Sequence, residues 1–174
     1  MNISLVLQMA AEAEPERVGL VCGGRRWPYR ALLRAARAAA ADISISGCAH
    51  VALLDESSEA AAIALFGAGL AGVPYVPLNY RLADPDLGSL LRRIAPAYIV
   101  GDAQRIERLS ADLGHRIRSR SDFLAAATTS ETLASADEAT EGVAVQLFTS
   151  GTTDRKSTRL NSSHPLKSRM PSSA

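Results

Sequence analysis

Five short apolar runs punctuate the chain, and the stretches between them carry helical rather than strand periodicity, which leaves few folds open. The runs are residues 18–22 (VGLVC), 50–54 (HVALL), 73–76 (VPYV), 97–100 (AYIV) and 142–148 (GVAVQLF). Short runs without polar alternation suit strands covered on both faces, as in a parallel sheet. Between them, residues 29–41 place Leu32, Leu33, Ala36, Ala39 and Ala40 on one stripe at helical spacing. The expectation is an α/β fold, a mostly parallel sheet with flanking helices.

Local signals fill in the order. Residues 2–13 read as an amphipathic helix with Leu5, Val6 and Met9 on one face. Gly23-Gly24 turns the run 18–22 back through Arg25, Arg26 and Trp27 as a hairpin, and Pro28 suits the first turn of the next helix. Ser57 or Ser58 is placed to cap a helix running to about Leu70, so apolar all round that it belongs between layers. Gly72 stops that helix, and Pro77-Leu78-Asn79-Tyr80 leads out of the following run as a loop. A helix from Asp84 or Asp86 carries Leu90, Leu91 and Ile94, and another covers 104–113. Residues 119–141 are polar and weakly patterned, an expected surface excursion.

Composition excludes several classes. Cys22 and Cys48 form no metal-ligand spacing or disulfide framework and read as small buried hydrophobes in a reducing compartment. The first twelve residues lack the positively charged start of a signal peptide. No apolar run reaches the ~18 residues that span a bilayer; the longest candidate, 60–77, is broken by Gly67, Gly69, Gly72 and Pro74. A cytoplasmic location is expected. The net charge of +1 gives no overall attraction to nucleic acid or membrane. His50, opening a buried run, reads as structural, and His115, among Arg116, Arg118 and Arg120, as part of a solvated basic patch. Trp27 beside Arg25 and Arg26 reads as a packed hairpin end or as a cation–π surface.

Chemistry concentrates after the last run. Thr149-Ser150-Gly151-Thr152-Thr153 follows the apolar stretch 142–148 directly, and ligands in open α/β sheets bind beyond the carboxyl ends of strands. Gly151 lets successive backbone N–H groups converge, and the four hydroxyls add donors without charge or bulk, as a polyphosphate requires. The pentamer alone suits a solvated turn better than a phosphate cradle. A Walker loop is excluded, because G-x-x-x-x-G-K-[ST] is absent.

The run Phe148-Thr149-Ser150-Gly151-Thr152-Thr153 resembles the phosphate-loop signature of the adenylate-forming superfamily, which includes acyl-CoA synthetases, luciferases and peptide-synthetase adenylation domains. Upstream, residues 64–82 (ALFGAGLAGVPYVPLNYRL) are similar to that superfamily's helix–strand–loop, and the PLNYRL ending favours the acyl-CoA synthetase branch. Trp27, Tyr29 and Leu32-Leu33 fit its aromatic-then-helix opening. The resemblance covers residues 5 to 153 and implies the first part of a large N-terminal domain. It implies that Thr149, Ser150, Gly151, Thr152 and Thr153 hold ATP phosphates while a carboxylate attacks the α-phosphorus with Mg²⁺ present. CoA, or alternatively a carrier protein, then takes the acyl group.

At Asp154 the pattern breaks. The superfamily continues with Gly, a variable residue, Pro, Lys and Gly, whereas this chain has Asp154-Arg155-Lys156-Ser157. Up to Thr153 there are fourteen arginines, no lysine and seventeen acids, a balance of −3. Beyond it there are five bases and one acid, a balance of +4, with both lysines of the chain, Lys156 and Lys167. Residues 154–164 (DRKSTRLNSSH) and 168–174 (SRMPSSA) look like one translated frame of a DNA-sequencing library adapter. The expected organisation is a partial synthetase domain over 1–153 and a disordered, artefactual tail over 154–174, the fragment itself being inactive. The competing reading is a non-catalytic α/β module with a basic, nucleic-acid-binding arm, although the tail lacks interleaved aromatics.

Overall fold

The computed structural model describes residues 3–129 and 142–148. In chain order its elements are α1 (Ile3–Ala13), β1 (Val18–Cys22), β2 (Arg25–Pro28), α2 (Tyr29–Ser46), β3 (His50–Leu54), α3 (Glu59–Leu70), β4 (Tyr75–Pro77), α4 (Asp84–Ile94), β5 (Ala97–Gly101), α5 (Ala103–Ser110), β6 (Arg116–Arg118) and α6 (Arg120–Thr129). β1 and β2 form the antiparallel hairpin, closed by Gly23 and Gly24 at φ 55° and 78°. The other four strands make one parallel sheet in the order β4-β3-β5-β6. The α/β class is as the sequence predicts.

The two-residue period of β3 explains the layering. Val51 and Leu53 point into a core shared with α1, α2, α3 and α6, whereas Ala52 and Leu54 point into a second core built with α4 and α5. β5 divides likewise, Tyr98 and Val100 to the first face and Ala97 and Ile99 to the second. Residues 51–54 and 97–100 therefore need apolar side chains throughout, hence their unbroken hydrophobic runs.

Small residues bring α2 and α3 together. A Cβ added to Gly67 would lie 3.1 Å from the Ala39 Cβ and 3.3 Å from the Ala36 carbonyl oxygen. α2 runs five residues beyond the predicted end at 41, because Ile43 continues the buried stripe. Gly47, at φ 66°, ends it by donating its N–H to the Ser44 carbonyl at 3.3 Å. Ser58 takes the cap position of α3, but its hydroxyl accepts no hydrogen bond there.

Three expectations need correction. On α1 the buried residues are Ser4 and Leu7, while Leu5, Val6 and Met9 are exposed. Residues 119–129 are no surface excursion: they carry α6, which sends Phe123 and Ala127 into the first core. The rest of the expected excursion, 130–141, lies outside the described residues. Cys48 is buried as predicted, but Cys22 is only half-buried.

His115 is also no part of a solvated patch. Its Nδ1 accepts the backbone N–H of Ala97 at 3.0 Å, tying the start of β5 to the residue before β6. Burial pushes its pKa below the usual 6.5. A protonated ring has no lone pair for Ala97, so the fold favours the neutral form. The unfolded chain then binds the proton more readily, and stability falls as pH drops below about 6.5 toward the folded pKa. We expect the thermal midpoint to fall on going from pH 7 to pH 5, and to fall less in His115→Asn, whose amide oxygen can replace Nδ1 as acceptor. Parallel pH profiles for the two chains would refute this.

Candidate functional site

The chain enters the sheet at β3, steps to β4 on one side, and returns past β3 to β5 on the other. α3, which follows β3, packs on one face; α5, which follows β5, packs on the opposite face. Where successive helices leave to opposite faces, the carboxyl ends of the two strands cannot both be covered, and a crevice remains. A cleft of ≈ 420 Å³ lies there, lined by Leu54, Asp55 and Glu56 at the end of β3, Gly101 and Asp102 at the end of β5, and by Tyr80, Arg105 and Arg120.

Its walls are held by polar contacts. Arg105 donates from Nε to Asp84 Oδ1 at 2.8 Å, from Nη1 to the Tyr80 carbonyl at 2.8 Å and from Nη2 to the Leu82 carbonyl at 2.5 Å. One guanidinium thus fastens the loop after β4 to the starts of α4 and α5. Arg108 holds the second Asp84 oxygen at 2.9 Å, and hydrogen bonds from Arg105, then Arg108, keep that carboxyl below its ordinary pKa. Within the loop, Asn79 Oδ1 accepts the Arg81 N–H at 3.0 Å, and the Arg81 guanidinium lies 5.3 Å from the Tyr80 ring centre. Asp102 caps α5 through the Arg105 N–H at 3.1 Å, and Asp55 pairs with Arg120 at 3.2 Å.

The approach to the sequence-predicted phosphate loop is also placed. Residues 142–148, expected as a strand, make a single parallel bridge, Val145 to Tyr75, on the β4 side of the sheet. The Tyr75 N–H donates to the Ala144 carbonyl at 3.0 Å and the Gln146 N–H to the Tyr75 carbonyl at 2.9 Å. The next donor toward this segment would come from residue 77, which is Pro77 and has no N–H, so the ladder stops after one rung. The segment nevertheless runs parallel to β4, with Phe148 packed against the second core and the Arg93 guanidinium 4.7 Å from its ring centre. Thr149, Ser150, Gly151, Thr152 and Thr153 lie outside the described residues. So does the tail 154–174.

Sequence reasoning placed the loop 77–80 but missed Arg105, which fixes it, and missed the pairing of Asp55 with Arg120. The available signal was positional: Asp55 and Asp102 each follow a buried strand directly. Among the described residues no group of three His, Cys, Asp or Glu side chains is placed to hold a metal ion. The Mg²⁺ implied by the resemblance therefore has no ligand assigned here. No helix among these residues is long and apolar enough to cross a membrane.

The chain matches the AMP-binding enzyme family over residues 7–155. Its fold is similar to that of a fatty acyl CoA synthetase from Mycobacterium tuberculosis, at 20% identity and TM-score 0.72, over 86% of this chain and 32% of that one. It is similar to ATP-bound MatB from Rhodopseudomonas palustris, at 24% identity and TM-score 0.72, over 88% and 33% of the two chains. It is similar also to the inhibitor-bound N-terminal domain of FACL13 from Mycobacterium tuberculosis, at 25% identity and TM-score 0.71, over 87% and 42%. The chain thus spans only 32–42% of the length of these structures. None of the curated proteins compared with it matches.

Proposed function

The chain belongs to the AMP-binding enzyme family, and from that premise we propose that the intact protein activates a carboxylic acid with ATP and passes the acyl group to CoA. A carboxylate oxygen attacks the α-phosphorus, the bond to the β-phosphate bridge breaks, and pyrophosphate leaves. The CoA thiolate then attacks the acyl carbon and AMP leaves, giving the thioester. The family match covers the adenylate-forming step; the choice of CoA as acceptor rests on the PLNYRL loop.

The observation that carries the reading is the parallel course of residues 142–148 beside β4, directly before Thr149-Ser150-Gly151-Thr152-Thr153. That is where a donor-rich loop meets an anionic ligand in an open sheet. Converging N–H and hydroxyl donors offset charge on the departing pyrophosphate, while in-line positioning comes from holding the nucleotide rigidly. ATP bound to MatB, a neighbour of the same fold, supports the choice of nucleotide. A cytoplasmic location accords with the thiol content and the want of a spanning helix among the described residues.

The test is isotope exchange. With ATP, Mg²⁺ and a panel of carboxylic acids, the intact protein is expected to move labelled pyrophosphate into ATP without CoA, and to form AMP and a thioester once CoA is added. Exchange without thioester would move the acceptor to a carrier protein; no exchange with any acid would remove the proposal. Because the 174-residue chain spans only part of the compared structures, it should not catalyse exchange alone. We further propose that residues 154–174 are foreign to the protein. A genomic read across Thr153–Asp154 should continue into Gly-x-Pro-Lys-Gly, and a stop after Ala174 would favour the basic-arm reading instead.

A further inference from the structure

Residues 25–41 contain five arginines and no acid. Arg30 is paired with Glu16 at 2.5 Å; the other four, Arg25, Arg26, Arg34 and Arg37, make no ion pair among the described residues. Arg25 and Arg26 from β2 and Arg34 from α2 line one cleft of ≈ 180 Å³, whose remaining wall includes Trp27 and the last turn of α6 at Ala127 and Thr128. Among the described residues no carboxylate lines it.

Three cations around so small a cleft repel one another, and the α6 carbonyl ends supply only partial negative charge. The arrangement is nevertheless ordered. The Arg25 guanidinium lies 4.1 Å from the Trp27 ring centre, and Trp27 is itself only 3% exposed. Stacking fixes the plane of the guanidinium and leaves its N–H edge free for an acceptor. The Trp27 indole N–H is buried and finds no acceptor among the described residues. A planar fork with further guanidiniums beside it matches the closely spaced oxygens of a phosphate better than it matches one carboxylate. The cleft uses β2, α2 and α6, none of which contributes the strand ends at the carboxyl-edge crevice, although Arg120, at the start of α6, lines that crevice.

We propose that this cleft is a binding site for a small polyphosphate anion, free or carried on a nucleotide. The test is calorimetric titration of the chain with inorganic tripolyphosphate and, separately, with ATP. Arg26→Gln/Arg34→Gln changes two exposed side chains, leaves the Arg25–Trp27 stack in place, and is expected to weaken tripolyphosphate at least about tenfold, as loss of charge-assisted hydrogen bonds implies. Thermal melts of the variant check that it folds. Thr149→Val/Thr152→Val, altered in the proposed catalytic loop, should retain the tripolyphosphate binding that the arginine variant weakens, whatever it removes at that loop. That arm separates this site from the proposed function, since either can fail alone. Equal affinities for tripolyphosphate and ATP would assign recognition to the phosphates, and tighter ATP binding would add the adenosine. Absence of binding, or binding lost in the threonine variant and kept in the arginine variant, overturns the proposal.

Discussion

Replacing Gly101 by alanine should cost on the order of 4 kcal/mol, combining backbone strain of ~1–3 kcal/mol with overpacking of ~1–3 kcal/mol. Gly101 is the last residue of β5, paired with Leu54 of β3, and its φ is 150°. A Cβ there would lie 2.7 Å from the Leu54 carbonyl carbon and closer still to its oxygen. The obstacle is backbone, so no rotamer change relieves it. β3 cannot retreat, because it is hydrogen-bonded to β4 on its other side and carries both cores. Domains of this kind are stable by only ~5–15 kcal/mol, so Gly101→Ala should lose much of its unfolding transition in urea. Gly114, at φ 65° with nothing within 4 Å of an added Cβ, isolates the strain component. Its replacement by alanine should cost only ~1–2 kcal/mol. Equal urea midpoints for the two variants would show that the contact with Leu54 is not as described.

The sequence carried the sheet well because a strand covered on both faces leaves no choice of residue. VALL, after His50, and AYIV are apolar at every position, and both became central strands. The hairpin was equally legible, since two adjacent glycines supply two left-handed residues and few other pairs do so. α1 was not, for a related reason. ISLVLQMAAEA is apolar on most sides, so its pattern marks a helix without marking which side is covered; packing against α2 and α3 chose Ser4 and Leu7. α6 was hidden because its apolar residues run together instead of recurring at helical spacing. Its start is signalled by Ser119 and Asp122, whose side chains bond at 2.7 Å while the Asp122 N–H returns to the Ser119 hydroxyl at 3.1 Å, and its buried face by Phe123 and Ala127 four residues apart. The five apolar residues, 123–127, are consecutive, so no helical period marks which of them face the core.

The candidate site divides along the same line. Position relative to a strand end is written locally, so the loop after β4 and the segment leading to the proposed phosphate loop were legible. Contacts between distant segments are not. Arg105 reaches back 25 residues to the Tyr80 carbonyl, and Arg120 reaches 65 residues to Asp55. In sequence each is one more arginine on a helix. Only the parallel stacking of β3, β5 and β6 brings them to one edge.

Such a long-range contact also sets the second large effect. Asp42, on α2, accepts the Tyr98 hydroxyl of β5 at 2.5 Å and Arg118 of β6 at 3.1 Å, joining the helical layer to two strands. Tyr98 is fully buried, its ring edge-on to Phe123 of α6 at 6.3 Å between centres. Asp42→Ala leaves a buried hydroxyl and a largely enclosed guanidinium without their acceptor. Removing one partner of a fully buried pair costs ~3–5 kcal/mol; with Arg118 and Asp42 side chains 30% and 28% exposed, water should recover some of that. We expect about 2–3 kcal/mol for Asp42→Ala. Tyr98→Phe removes only a hydroxyl and leaves Asp42 with Arg118, so it should cost about 1 kcal/mol. The double variant should be less destabilised than the sum, by about 1 kcal/mol, because the shared bond is lost only once. Urea unfolding of the four chains measures each of these. Strict additivity, or a larger loss for Tyr98→Phe than for Asp42→Ala, would show that Asp42 is not the acceptor binding α2 to the sheet.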